Sequence, residues 1–220
     1  MTNRLPRYSV AALLVASALS IGGCDMLAGL LGASGQAQGR TVASQYDGLP
    51  NKSLAIVIYA PGATLNEYTG TREELTGFVT TQMRLHLPTT HLLARDEVIN
   101  WQNDHLNWYA LADRDIGKHF TVDRVLYIEV LDYSTRKTIG YGDMQGHLRA
   151  RCKIANSETG ETRTTPEWTG IIDVSWPPDH PLDPTQTNES AVRIRLLENF
   201  SQRLVECFYE HKTFNRDMPG

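Results

Sequence analysis

Cysteine is scarce in this chain, with three residues among 220. Nor does any apolar run approach the roughly 20 residues that a membrane-spanning helix needs; the longest greasy stretch, Val10 to Leu19, is half that. Basic residues are not in excess: 21 Lys and Arg face 25 Asp and Glu, for a net charge of −4. A scattered, acidic balance leaves no electrostatic footprint for nucleic acid. The Gly-x-Ser-x-Gly nucleophile elbow is missing, and none of the seven histidines falls in His-Glu-x-x-His or His-x-His spacing. No catalytic residue, cofactor or metal is therefore assigned from the sequence.

The N-terminus carries the clearest positive signal. Arg4 and Arg7 precede the apolar stretch, which ends in Ser20-Ile21-Gly22-Gly23-Cys24. A short charged region, a short apolar region and small residues make an export signal. Ile-Gly-Gly-Cys resembles the lipobox of bacterial lipoproteins. That resemblance implies cleavage between Gly23 and Cys24, a diacylglycerol thioether on Cys24 and acylation of its new amine, palmitate being the usual chain. Several acyl chains, each buried at about 0.8 kcal/mol per CH₂, make such anchoring effectively permanent. Asp25 resembles the signal that retains lipoproteins in the inner membrane of enteric bacteria; inner and outer membrane both stay open. Removing residues 1–23 takes away two positive charges, Arg4 and Arg7, and moves the balance from −4 to −6. Anionic headgroups do not attract such a protein, so its attachment rests on the lipid.

The chain divides into a signal peptide (1–23), a lipidated flexible tether (24–52) and a globular domain (53–215). From Asp25 to about Asn51 the composition is Gly, Ala, Ser, Gln and Thr, too polar to fold alone. As a coil it spans about 30 Å. Leu54 to Tyr59 is a short, nearly continuous apolar run, as in a strand covered on both faces. Thr71-Arg72-Glu73-Glu74 has the form of a capping box, followed by Leu75, Phe78, Val79, Met83 and Leu87 on one helical face. His91 to Ala94 is a second short strand. Asp96 is placed to cap a helix through Val98, Ile99 and Trp101, with Trp108 and Leu111 continuing its apolar face. Arg124 to Tyr133 is apolar on both faces and central. Gly146 to Ala155 alternates, with Leu148, Ala150, Cys152 and Ile154 opposite Arg149, Arg151 and Lys153. Thr159-Gly160-Glu161 turns into a strand from Thr164 to Val174, a proline-rich loop follows, and a helix runs from Glu189 to Tyr209. The order β-α-β-α-β-β-β-α predicts an α+β (mixed α/β) fold, a single sheet with helices packed on it.

Three phrases in this order resemble the curli-export lipoprotein family (CsgG) and the N-terminal domain of the TolB type. They are His91 to Asn100, a strand leading to Arg-Asp and a helix; Asp115 to Val130, with Ile116-Gly117-Lys118 and Val122-Asp123 before an apolar strand; and Ala150 to Glu161, closing on Glu158-Thr159-Gly160-Glu161. The resemblance implies a periplasmic α/β module that assembles with itself or with envelope machinery. It does not bring a pore, because Thr135 to Gln145 is too short and polar to supply membrane strands.

Four groups of residues have a functional and a structural reading. Trp101, Trp108 and Tyr109 either form a sugar or peptide platform or pack a helix onto the sheet. Arg149, Arg151 and Lys153, about 7 Å apart along one strand face, either bind an acidic partner or make a salt-bridged outer surface. His86, His91, His105 and His119 either meet at a metal or are ordinary exposed or capping histidines. Cys152 and Cys207, both on core-facing positions, either form a disulfide or stay buried thiols. The function expected is a non-enzymatic scaffold or accessory of envelope assembly or export, partnered by the membrane through its lipid and by envelope proteins or itself. The alternative is a solute- or glycan-binding lipoprotein with an aromatic site. Substituting Cys24→Ser is expected to move the protein into the soluble fraction or to leave an uncleaved precursor. Correct cleavage with retained membrane binding in fractionated cells contradicts that expectation.

Overall fold

Five consecutive apolar residues, Leu54 to Ile58, can be buried together only in a strand with cover on both faces, and strand β2 (Ser53–Tyr59) buries all five. The structure, a computed structural model, describes residues 39–136, 143–157, 166–185 and 187–213. These divide into two units, Val42–His211 and a smaller one comprising the chain up to Thr41 with Lys212 onward. Strands β1 (Arg40–Val42) and β7 (His211–Thr213) form a two-stranded sheet of their own.

The architecture is mixed α+β. Its main sheet has five strands in the order β3-β2-β4-β5-β6, with β3 (His91–Leu92), β4 (Arg124–Ser134), β5 (Gly146–Asn156) and β6 (Trp168–Trp176). Strands β3, β2 and β4 run parallel, whereas β4, β5 and β6 are antiparallel. One face takes helices α2 (Thr71–His86) and α5 (Glu189–Glu206). Leu75, Val79 and Met83 of α2 and Leu196, Leu197, Phe200 and Leu204 of α5 pack there against Ile56, Ile58, Leu126, Ile128, Leu148 and Ile154. The other face takes α3 (Arg95–Asp104), a 3-10 turn (Trp108–Ala110) and α4 (Asp113–Phe120). Val98, Trp101, Trp108, Ile116 and Phe120 pack there against Ala55, Val57, Val125 and Tyr127. That second cover lies over the parallel half of the sheet, and α4 also reaches the end of β5 around Lys153.

Several local expectations are corrected. A short helix α1 (Gly62–Glu67) follows β2 directly, with Pro61 at its N-cap; proline has no N–H for the first turn to strand. Helix α2 has no capping box. Gly70 occupies its N-cap at φ +79, a conformation open to glycine. Thr71 donates its hydroxyl to the Tyr68 carbonyl, and Glu74 pairs with Arg193 at 2.6 Å. Asp96 does not cap α3, whose N-cap is Ala94; it pairs with Arg95. The apolar face expected to continue from Trp101 to Leu111 is broken after Asp104, and Leu111 is exposed. Strand β4 is central, but a bulge between Val130 and Asp132 ejects Leu131 from the ladder. The extra residue shifts the alternation, so that Tyr133 joins Leu126, Ile128 and Val130 on one face. Strand β6 starts at Trp168, and the Thr159-Gly160-Glu161 turn lies outside the described residues. Helix α5 ends at Glu206, with Asn188 capping the Ala191 amide at 2.9 Å.

The packed body also begins before Ser53. Leu49 is fully buried, and the Cys207 carbonyl accepts from the amides of Gln45 and Tyr46 at 2.7 and 3.2 Å. The Tyr46 hydroxyl donates to Glu167, which also pairs with Arg124 at 2.7 Å and accepts from Asn156 at 2.9 Å. This pin joins residue 46 to the first residue of β4 and the approach to β6. Elsewhere, Gly117 lies so close to Ser157 that any Cβ there would overlap its side chain, which is how α4 sits down on the sheet.

Burial opposes ionisation of Glu167, but hydrogen bonds from Tyr46 and Asn156 and the Arg124 charge outweigh it and hold its pKa below 4.5. A carboxylate depressed in the folded state stabilises fully above its unfolded pKa, and that stability drains as pH falls through the folded value. Glu167→Gln is therefore expected to cost roughly 1–3 kcal/mol at neutral pH, with the difference from the parent shrinking below about pH 4.5. Denaturant titrations at several pH values test this; a difference that is constant from pH 7 to pH 3 refutes the role of the charge.

Candidate functional site

The crossover that leaves the carboxyl end of β2 and the one that leaves its neighbour β3 lie on opposite faces of the sheet. Helices α1 and α2, on the way to β3, lie against one face; α3, the 3-10 turn and α4, on the way to β4, lie against the other. A crevice opens where successive connections part in this way, outside the carboxyl ends of parallel strands. Here it is a groove of about 320 Å³ beside Ile58, Tyr59 and Ala60, at the small end of the range for ligand pockets.

Its polar side chains come from two places in the chain. Gln102, on α3, is one helical turn after the core residue Val98, so its amide is carried into the buried face. Its Nε2 donates to the Ile58 carbonyl at 3.1 Å. Because a carbonyl only accepts, that bond fixes which end of the amide faces the strand. The Oε1 is left buried without a partner among the described residues, and the residue is 2% exposed. Arg72, in the first turn of α2, donates from Nη2 to Oδ1 of Asn103 at 3.0 Å. Its Nε is buried and unpartnered, and no carboxylate lies within ion-pair distance of it among the described residues. Leu65 and Leu106 add apolar surface. Tyr59, Trp108 and Tyr109 make the wall; the Tyr59 ring lies 5.0 Å from Tyr109 and meets Trp108 edge-on at 6.3 Å.

The predicted aromatic trio is thus divided. Trp101 is 7% exposed and lies in the core, flanked by His105 and His119, each 5.1 Å away. Trp108 is buried but lines the groove, and Tyr109, 47% exposed, lies at its mouth. The basic stripe is matched by acids across the sheet. Arg149 pairs with Asp173 at 3.7 Å, Arg151 with Glu129 at 2.7 Å, and Lys153 with Asp113 at 2.7 Å while lying over the Tyr127 ring. Of the four histidines considered for a metal, His105 and His119 lie 6.1 Å apart, both against Trp101, while His86 stacks on Tyr209 at 4.3 Å and His91 is exposed; His147 contacts Asp132 and Asp173 at 3.0 and 2.9 Å. No trio of His, Cys, Asp or Glu able to hold a metal occurs among the described residues. Cys24 and Gly23 lie outside those residues. Arg72, Gln102 and Asn103 were not singled out from the sequence. The signal for Gln102 was present, as a carboxamide at an apolar position of a helical repeat; for Arg72, on a charged first turn, there was none.

No family model matches the chain, and no curated protein matches it. Among solved structures it is similar to the lipoprotein GNA1162 of Neisseria meningitidis, with 14% identity over 69% of this chain and 97% of that one and a TM-score of 0.44. It is similar to PelC of Paraburkholderia phytofirmans, solved as a dodecamer, with 10% identity over 74% and 94% and a TM-score of 0.41. A minor lipoprotein of Acinetobacter baumannii shares 13% identity over 71% and 91%, with a TM-score of 0.33.

Cys152 and Cys207 are both buried and unbonded. Burial pushes the Cys152 thiol well above its ordinary pKa, with the neighbouring Cys207 adding to the shift. Burial likewise raises Cys207 to about 11. Thiolate is the reactive form, so neither thiol is expected to react with an aromatic disulfide reagent in the folded protein, and both are expected to react in denaturant. A native protein that stays unreactive even after denaturation, until a reductant is added, carries the disulfide instead.

Proposed function

We propose that this protein is a lipid-anchored lipoprotein of the bacterial envelope, facing the periplasm, that acts as a non-enzymatic scaffold or accessory in envelope assembly or export. The observation that carries the reading is the chemistry of the groove. One guanidinium and two carboxamides recognise and orient; none of them attacks a substrate or exchanges protons at neutral pH. The Ile21-Gly22-Gly23-Cys24 sequence supplies the address, with signal peptide 1–23 removed and a tether running from Cys24. Asp25 favours retention at the inner membrane. The order of motifs around Gly117-Lys118, Val122-Asp123 and the Thr159-Gly160 turn supports kinship with the curli-export and TolB-like group, without a pore. Among the described residues no helix is long and apolar enough to cross a membrane.

A second reading, solute or glycan binding, is favoured by one feature: the Tyr59, Trp108 and Tyr109 wall beside unpaired polar groups. Crosslinking of native envelopes followed by mass spectrometry separates the two. The accessory role is expected to give a reproducible protein partner or a crosslinked oligomer of the chain itself. Crosslinks to neither, from cells that contain the mature protein at normal levels, contradict it and leave the solute reading.

A further inference from the structure

Arg72 and Gln102 line one groove, each with a buried polar atom whose hydrogen-bonding capacity is unused. A buried carbonyl oxygen without a partner is costly, and native folds contain few. Gln102 cannot relieve its own oxygen by turning over, because its amide nitrogen is committed to Ile58. Its Oε1 requires a donor. Arg72 serves Asn103 with Nη2, its buried Nε lacks an acceptor, and its charge is not met by any acid among the described residues. This contrasts with the outer strand face, where Arg149, Arg151 and Lys153 each have a carboxylate. The groove therefore asks for a ligand with an anionic acceptor and, next to it, an N–H or O–H donor.

The remaining surface narrows the class. Ile58, Ala60 and Leu65 are apolar, and Leu106, at the mouth, is 80% exposed. The rings of Tyr59 and Trp108 are packed against one another and against Tyr109, edge-on or tilted, so part of the aromatic surface a sugar would stack on is taken up by the rings themselves. A volume of about 320 Å³ holds one side chain and its backbone. We infer that the groove binds the C-terminal residue of a protein partner: its carboxylate on Arg72, its own amide N–H toward Gln102 Oε1, and an aliphatic side chain among Leu65, Leu106 and Tyr109. This rests on the accessory reading and gives it a recognition element, since capture of a free chain end selects for chemistry every protein carries only once.

The test uses the full chain in detergent micelles with ¹⁵N-labelled tryptophan, following the indole resonance that Trp108→Phe removes. The probes are acetyl-Ala-Leu with a free carboxylate, the same peptide amidated, and glucuronic acid. The free acid is expected to shift the resonance saturably and to bind about ten-fold or more tightly than the amide, the size of a charge-assisted hydrogen bond. Arg72→Gln is expected to abolish that preference. Leu106→Asp, at an exposed position that leaves folding intact, is expected to weaken the acid peptide as well. Equal binding of acid and amide, or no shift at millimolar peptide, overturns the inference. Glucuronic acid binding as tightly as the peptide, with the same dependence on Arg72, also overturns it and assigns the groove to acidic sugars. Envelope crosslinks that persist undiminished in Arg72→Gln leave the accessory role standing and refute the groove as its means. A peptide that titrates as expected where no partner crosslinks refutes the accessory role instead.

Discussion

A parallel pair of strands such as β2 and β4 cannot be joined by a hairpin, so the chain must cross over the sheet before it can return alongside. Here it crosses twice, out to β3 and back past β2 to β4, and the helices of the two crossings lie on opposite faces. Leu54 to Ile58 and Arg124 to Ile128 are buried on both sides for that reason. The antiparallel half of the sheet has no such demand. Strands β5 and β6 pack one face on α5 and leave the other wet except at the end of β5 that α4 reaches, with Ile171 and the paired charges on it. The groove at the carboxyl end of β2 is a consequence of the same constraint, since it lies where the crossings diverge.

How much of this was legible depended on whether a residue's environment is set locally. Continuous apolarity in Leu54 to Ile58 and strict alternation in Leu148 to Ile154 are repeated statements of the same environment, and both elements form where the pattern puts them. Helix α5 was readable for the same reason. Tyr46 and Leu49, by contrast, are single apolar residues in a polar stretch. Nothing nearby shows that one is pinned by Arg124 and Glu167 and the other fully buried, so the tether appeared to last until Ser53. Thr71-x-x-Glu74 had the right letters for a capping box, but Glu74 had a stronger offer from Arg193, over one hundred residues away in the chain. The bulge at Leu131 has no sequence mark either, because a single extra residue reads as more of the same strand.

The candidate site was half visible. Its aromatic members lay within the right segment, yet Trp101, one helical turn from His105, is drawn into the core by α4, whose His119 and Phe120 close over it. The groove needed Tyr59 and Arg72, which are 13 positions apart and come together only because α1 turns the chain at the end of β2. Spacing could not bring them forward. Gln102 was the one legible clue, an amide where the repeat of Val98 calls for an apolar side chain.

The two unusual polar arrangements of this domain lie at opposite ends of β2. The Tyr46 pin sits beside Arg124, the partner of Leu54 at the start of the strand, while the groove lies beyond Ile58 at its finish. About five residues of strand separate them, or some 15–20 Å. The pin is fully matched: hydroxyl, carboxylate, guanidinium and carboxamide satisfy one another, and a matched network of this kind makes a joint rigid and specific. The groove is unmatched, with an amide oxygen and a guanidinium nitrogen buried in its lining and without a partner among the described residues. Consistency at one end and its absence at the other are informative together, because a chain that pairs Arg124, Arg149, Arg151, Lys153 and Arg193 with acids has ample means to pair Arg72. Departures from local consistency are expected where function requires them. Residues 45–49 join the fold at the matched end of the strand, and the groove lies at the other.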